Sequence, residues 1–267
     1  LLMKKQAYDQ VEELTSNYGK IDIMWYDGAW LNHEGSDTTS AWLWEPVELN
    51  KIVRKNNPKT VINPRSGWEG DFYCDEGSHE IEGKIIPVPW EKNMCVCSGN
   101  SWGWMEEDPV SDFDWLIKML VNVVTRDGNL LLNIGPDKNG KLSDEVATRM
   151  REIGAWLKEN GESIYSTRGG PFEPIDDVFG STYKDNIIYL HILDTEEFSK
   201  VKLPAIPYTV EACSYKDTAL EFTQDSQGIK IVLPESLPKE VDTIIKLTLD
   251  QEIVQEEGSE IYFTGRE

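Results

Sequence analysis

Acidic residues are plentiful in this chain, 48 Asp and Glu among 267 residues, so a carboxylate alone carries no signal. The useful filter is an acid at a strand tip, or in a structured loop with aromatic neighbours. Three acids pass it: Asp27 closing Ile21-Asp-Ile-Met-Trp-Tyr-Asp27, Glu76 within Gly70-Asp-Phe-Tyr-Cys-Asp-Glu-Gly77, and Glu91 in Pro89-Trp-Glu91. Two carboxyl groups flanking one bond, a nucleophile and a proton donor, are the minimum for retaining glycoside hydrolysis. Trp25, two residues before Asp27, suits the aromatic wall of a sugar site. The plainer reading is that Asp27 is a turn former before Gly28. Arg65 could bind a sugar hydroxyl or ring oxygen, or equally hold a carboxylate in place.

These side chains need elements behind them. An amphipathic run with Ala7, Val11 and Leu14 at helical spacing stops at Gly19, which suits a left-handed helix end. Ile21, Ile23 and Trp25 then alternate with Asp22, Met24 and Tyr26, predicting a short strand that delivers Asp27 at its tip. In a parallel barrel that end is where chemistry is done. Trp42 to Val53 predicts a helix closed by Asn56-Asn-Pro58, and Thr60-Val-Ile-Asn-Pro-Arg65 a second strand with a polar tip. The stretch from Ser66 to Pro89 has little periodicity and reads as a long loop, ordered and functional because Trp68, Phe72 and Tyr73 are embedded in it. Ser111 is the expected N-cap of a helix carrying Leu116, Ile117, Leu120 and Val121. Asn129-Leu-Leu-Leu-Asn-Ile-Gly135 reads as a strand covered on both faces, and Ser143 as the cap of a further helix burying Val146, Met150, Ile153 and Leu157. Strands near 20–27, 60–65, 93–98 and 129–134 are expected to lie parallel in one sheet, with Asp27, Arg65 and Trp102 at one end.

Helix–strand alternation runs to about residue 168, and Gly169-Gly-Pro171 ends it. Beyond, short runs of period two (Ile187, Tyr189, His191; Ile229, Ile231, Leu233) between turn signals predict an antiparallel β-sandwich over 169–267, with one strand at Glu260–Thr264. The α/β part, residues 1–168, is short for an eightfold barrel of about 250 residues. Either the fold is an open sheet, or the chain is the C-terminal part of a longer protein, a barrel lacking its first strands, and the unpaired edges of such a barrel predict association. A net charge of −22 argues against nucleic acid and anionic membranes as partners. No apolar run approaches the length that spans a bilayer. Four cysteines and three histidines make a poor metal set, since Cys95-Val-Cys97 has no paired Cys or His motif to complete a zinc site, and buried thiols are the better reading.

The ordered motifs taken together resemble the α-L-fucosidases of glycoside hydrolase family 29. Asn17-Tyr-Gly-Lys-Ile-Asp-Ile-Met-Trp-Tyr-Asp-Gly28 resembles the family's nucleophile strand, and Asn63-Pro-Arg65 its Asn-x-Arg strand tip. Trp90-Glu91 with Ser101-Trp-Gly-Trp104 is similar to its Trp-Glu…Ser-Trp-Gly-Tyr block, and Gly128-Asn-Leu-Leu-Leu-Asn-Ile-Gly-Pro136 to its most recognisable signature. The resemblance implies a (β/α)8-like catalytic barrel followed by a β-sandwich, no cofactor or metal, fucosylated glycans as substrates, and a two-step retaining mechanism. By position it makes Asp27 the nucleophile. Trp25 would line the sugar pocket, Arg65 contact the nucleophile or sugar, and Trp102 take the place of the aromatic that meets the fucose methyl group. The family's acid/base loop varies, and two candidates match: Glu76 after Asp71-Phe-Tyr, and Glu91 of Trp-Glu. Glu76 is preferred, because a Gly-bounded loop suits a donor that must reach a leaving group.

One departure accompanies this. The family's pocket also uses histidines from the first barrel strands, and His33, His79 and His191 match none of them. The missing histidines agree with the missing strands, and the chain as given is expected to lack part of the sugar pocket. Two other readings share the fold: a retaining glycosidase for another sugar, and a non-catalytic carbohydrate-binding protein.

Overall fold

The computed structural model describes residues 2–27, 45–67, 70–76, 81–99, 101–234 and 237–254. These fall into two compact units, residues 1–75 with 88–91, and residues 76–87 with 92–267. Helix α1 (Leu2–Asn17) opens the first unit and buries Val11 and Thr15, not Leu14, which stays 47% exposed. Thr15 tolerates burial because its hydroxyl donates to Val11 O at 2.7 Å and accepts from the Asn56 amide at 2.9 Å. Strand β1 (Ile23–Met24), helix α2 (Pro46–Asn56) and strand β2 (Val61–Ile62) follow. The two strands pair in parallel, Ile23 opposite Val61 and Met24 opposite Ile62. Val11, Met24, Leu49, Val53 and Ile62 form the core under them.

The stretch expected to be a long loop contributes β3 (Tyr73–Glu76), which lies beside the start of β4 (Trp90–Cys95) through Tyr73 N–H donating to Pro89 O at 2.8 Å. Strand β4 has β5 (Gly128–Asn133) as its other neighbour. The single sheet expected from the sequence is thus replaced, among the described residues, by the ladders β1–β2 and β3–β4–β5.

In the second unit, helix α3 (Phe113–Val124) has Asp112 at its N-cap instead of Ser111. The Ser111 amide is engaged elsewhere, donating to Val96 O at 3.0 Å. Strand β5 is not covered on both faces: Asn129 and Leu131 are exposed, as befits an edge strand. Helix α4 (Asp144–Asn160) starts as expected, with Ser143 Oγ accepting from Val146 N–H at 3.2 Å, and it buries Val146 and Ile153. Met150 and Leu157 are only half-buried.

The C-terminal strands build an antiparallel sheet in the order β10-β9-β13-β8-β7-β6 and a hairpin, β11–β12. Their ranges are β6 (Arg168–Gly169), β7 (Phe179–Lys184), β8 (Ile187–Ile192), β9 (Val210–Tyr215), β10 (Thr218–Ala219), β11 (Phe222–Asp225), β12 (Gly228–Ile231) and β13 (Thr243–Leu249). Ile188, Leu190, Ile245 and Leu247 from the sheet share one core with Ile229 and Ile231 from the hairpin. The period of two fails in β8, because its opposite face is covered as well. There His191 is fully buried, its Nδ1 2.7 Å from Asp242 Oδ2 and its Nε2 3.2 Å from Thr182 Oγ1. The Thr182 hydroxyl in turn donates to Ser163 O at 2.7 Å, just beyond α4. Burial pushes the Cys213 thiol up to about 12, in keeping with an inert core cysteine. The strand expected at Glu260–Thr264 lies outside the described residues.

Arg126, just past α3, is the largest buried charge here. Its guanidinium donates to Gly83 O (3.1 Å), to Asn122 O and Oδ1 (3.1 Å each) and to Asp176 Oδ1 (2.7 Å). Burial lowers its pKa and Asp176 opposes that shift, so the cation persists because its donors are satisfied. Arg126→Met should cost about 3 kcal/mol of stability, since Gly83 O, Asn122 O, Asn122 Oδ1 and Asp176 Oδ1 each lose a donor. Arg126→Lys should lose nearly as much, because an ammonium cannot serve three directions in one plane. Urea unfolding midpoints check both, and a lysine variant as stable as the parent would contradict the argument.

Candidate active site

The tip of β1 is short of backbone pairing, and side chains make up the deficit. At its entry, Asn57 Oδ1 accepts from Ile21 N–H at 3.3 Å and Thr60 Oγ1 donates to Ile21 O at 2.7 Å. Two ladder bonds follow, Val61 N–H to Asp22 O (2.8 Å) and Asn63 N–H to Met24 O (3.3 Å). At its exit, the fully buried Asn63 grips Tyr26 twice: Oδ1 accepts from Tyr26 N–H at 2.8 Å, and Nδ2 donates to Tyr26 O at 2.9 Å. Tyr26 immediately precedes Asp27, so this clamp fixes where the carboxylate begins.

Strand β2 is held from its other side by Asp71. Its N–H donates to Ile62 O and its carboxylate accepts from Ile62 N–H, at 2.8 and 2.7 Å, with Arg54 paired to the same carboxylate. The chain can pass this close only at Gly70, with φ +76°, where a Cβ would sit 2.7 Å from Pro64 N. Beyond β2, Pro64–Ser66 form a turn of 3-10 helix that projects Arg65.

Arg65 then links the candidates. Its Nη1 donates to Asp27 Oδ1 at 3.1 Å, and its guanidinium carbon lies 4.9 Å from the centre of the Trp25 ring. A planar cation both stacks on the indole and reaches the carboxylate, which a lysine could not do in the same way. On the indole's nitrogen, Trp25 Nε1–H donates to Glu91 Oε1 at 3.1 Å. Four residues expected from the sequence, Trp25, Asp27, Arg65 and Glu91, therefore form one chain of contacts within the first unit. Asp27 itself is open to solvent, with its side chain 69% exposed.

Glu76 and Trp102 belong to the second unit. Glu76 ends β3 and is exposed. Trp102 is 42% exposed, and its backbone oxygen accepts from Asn133 Nδ2 at 2.9 Å. Among the described residues no group of three or more His, Cys, Asp or Glu side chains could hold a metal ion.

Comparison with known proteins bears on the arrangement directly. The sequence profile of the α-L-fucosidases matches residues 2–162. The chain belongs to the α-L-fucosidase family. It is 34% identical over 169 residues to the plasma α-L-fucosidase of Homo sapiens, covering 59% of this chain and 34% of that protein. It is 30% identical over 263 residues to the tissue α-L-fucosidase of Rattus norvegicus, covering 90% of this chain and 54% of that protein. The chain thus spans a third to about half the length of these relatives. Among solved structures, α-L-fucosidase isoenzyme 1 from Paenibacillus thiaminolyticus superposes with a TM-score of 0.74 at 25% identity, over 93% of this chain and 62% of that one. A family 29 α-L-fucosidase from Bacteroides thetaiotaomicron gives 0.77 at 19% identity, over 93% and 60%.

Two asparagines went unassigned in the sequence reading, Asn63 and Asn133. Both directly follow an apolar strand run, Val61-Ile62 and Leu130-Leu-Leu132. An amide at a strand tip can donate and accept at once, and that position was the available signal. Asn63→Ala should leave Tyr26 N–H and C=O without these partners and cost about 1–3 kcal/mol. Urea unfolding measures this, and an unchanged midpoint would show the clamp to be dispensable.

Proposed function

We propose that this protein acts as a retaining exo-α-L-fucosidase on terminal fucosyl residues of glycans, with Asp27 as nucleophile and Glu76 as acid/base. On this reading residues 1–168 are the C-terminal part of a (β/α)8-like barrel and residues 169–267 a β-sandwich. The parallel β1–α2–β2 unit and the superpositions on solved family structures support that architecture. The observation that carries the functional reading is Arg65, which holds Asp27 just beyond the end of β1 while lying against the face of Trp25. A carboxylate placed by a cation beside an aromatic wall is what attack on a sugar's anomeric carbon requires.

Glu91 accepts the Trp25 indole N–H, which supports a positioning role for it and leaves acid/base work to Glu76. In the first step Asp27 attacks the anomeric carbon while Glu76 protonates the departing oxygen, giving a glycosyl ester. In the second, Glu76 takes a proton from water, which attacks the same carbon and releases fucose with the original configuration. Trp25 and Trp102 are assigned to the sugar pocket, with Trp102 against the fucose methyl group.

Variants of the full-length protein separate the roles. Asp27→Gly should lose several orders of magnitude in rate on every substrate, and azide should then yield the inverted β-fucosyl azide. Glu76→Ala should slow poor leaving groups by about 10²–10⁴ while sparing the first step on activated aryl fucosides, and azide should yield the retained α-azide. Glu91→Gln keeps an acceptor for Trp25 and should stay near parent activity, whereas Glu91→Ala slows good and poor leaving groups alike. An α-azide from Glu91→Ala but not from Glu76→Ala would exchange the two roles. Binding of a fucose-like iminosugar with no turnover would point to a carbohydrate-binding protein instead.

A further inference from the structure

The most recognisable stretch of this sequence, Gly128-Asn-Leu-Leu-Leu-Asn-Ile-Gly-Pro136, supplies none of the residues assigned above. What it touches is the loop that carries Trp102. That loop is closed at its base by backbone bonds: Ser98 N–H to Pro109 O at 2.8 Å, Ser111 N–H to Val96 O at 3.0 Å, and a bridge of Cys97 with Val110. Gly99 N–H donates to Asp108 Oδ1 at 2.9 Å just above the base. Nearer the tip, Ser101 Oγ donates to Gly103 O at 2.9 Å, a contact internal to the loop that gives it no fixed place on the fold.

The tip of β5 provides that place. Asn133 Nδ2 donates to Trp102 O at 2.9 Å, while Asn133 O accepts from Val96 N–H at 2.9 Å. One residue thus spans the neighbouring strand end and the Trp102 backbone. Two residues on, Gly135 lies so close to the loop that a Cβ would meet Gly103 C and Trp104 N, each at 2.8 Å, and Gly103 O at 3.0 Å. These are backbone atoms and cannot swing aside as a flexible side chain can.

We infer that Asn133 and Gly135 are positioning residues for sugar specificity: the tip of β5 fixes the loop that holds Trp102 against the C6 methyl group of the substrate. This deepens the proposed function and rests on its placement of Trp102. A methyl group in an apolar pocket discriminates by about 10–200-fold, and only while the opposing wall holds its place. A clamp on the backbone of Trp102 would therefore act on discrimination at C6 and spare the carboxylate chemistry.

Two measurements test this. The first is hydrogen exchange in the chain itself. Asn133→Ala and Gly135→Ala should raise exchange across residues 98–111 by at least about tenfold, with β8 unchanged as the sign of an intact fold. The second is kcat/KM in the full-length protein, on an aryl α-L-fucoside and on the same glycoside lacking the C6 methyl group. The parent should prefer the methylated sugar, both variants should lose about tenfold or more of that preference, and the glycoside without the methyl should change by less than about twofold. Trp102→Ala separates the two layers. If it leaves the preference intact, the placement of Trp102 and the specificity role fall together. If it abolishes the preference while Asn133→Ala and Gly135→Ala retain it with parent-like exchange, the placement stands and the clamp is overturned.

Discussion

Two rungs of parallel ladder join β1 to β2, and so short a ladder cannot by itself hold a strand tip in one place. The asparagine amides on either side of it make the difference. Asn57 fixes the entry of β1 at Ile21, and Asn63 grips both backbone groups of Tyr26 at its exit. Each hydrogen bond contributes only about 0.5–1.5 kcal/mol net. They act at successive points of one strand, however, so the position of Asp27 is set from both ends. Asn63 also begins the Asn-Pro-Arg turn that presents Arg65. One short segment thereby positions both the carboxylate and the cation facing it, and the candidate site inherits its geometry from that coupling.

The second unit solves a different problem, the burial of polar groups against the covered face of its sheet. Arg126 is tolerated there because its fork meets Gly83, Asn122 and Asp176 in three directions. His191 is tolerated because Asp242 and Thr182 take its two ring nitrogens. Such groups specify which surfaces meet, since each is costly anywhere its partners are absent. The close approach of Gly180, where a Cβ would lie 2.6 Å from the Thr125 side chain, belongs to the same contact.

Much of this was legible in the sequence, for identifiable reasons. The helix capped by Ser143 follows from local chemistry, a hydroxyl before an amphipathic run. The strand expected to carry Asp27 at its tip was legible only in part: β1 is confined to Ile23–Met24 and stops before Asp27, and it buries Met24 while Ile23 stays exposed, the reverse of the expected alternation. The strand pattern groups Asp27 and Arg65 with Trp102, whereas the family resemblance assigns Trp25, Asp27, Arg65 and Glu91 to one site. What bound them, a cation stacked on an indole whose N–H meets a carboxylate, is a tertiary fact that no local pattern encodes. Strand β3 was missed because its residues, Tyr-Cys-Asp-Glu, are half-exposed and show no alternation. The burial of both faces of β8 was missed because a period of two cannot tell a solvated face from one covered by other elements. Asn63 and Asn133 were visible as residues and silent as to role, since an amide's value depends on which backbone it finds.

The central claim is that Asp27 forms the bond to the sugar. It is tested most directly by treating the full-length protein with a 2-fluoro-fucosyl fluoride, which forms the ester and slows its hydrolysis, then mapping the modified peptide by mass spectrometry. The account predicts one label per active site, on Asp27, and none after Asp27→Gly. A label on Glu76 or Glu91, or steady turnover of aryl α-L-fucosides by the Asp27→Gly variant, would contradict it.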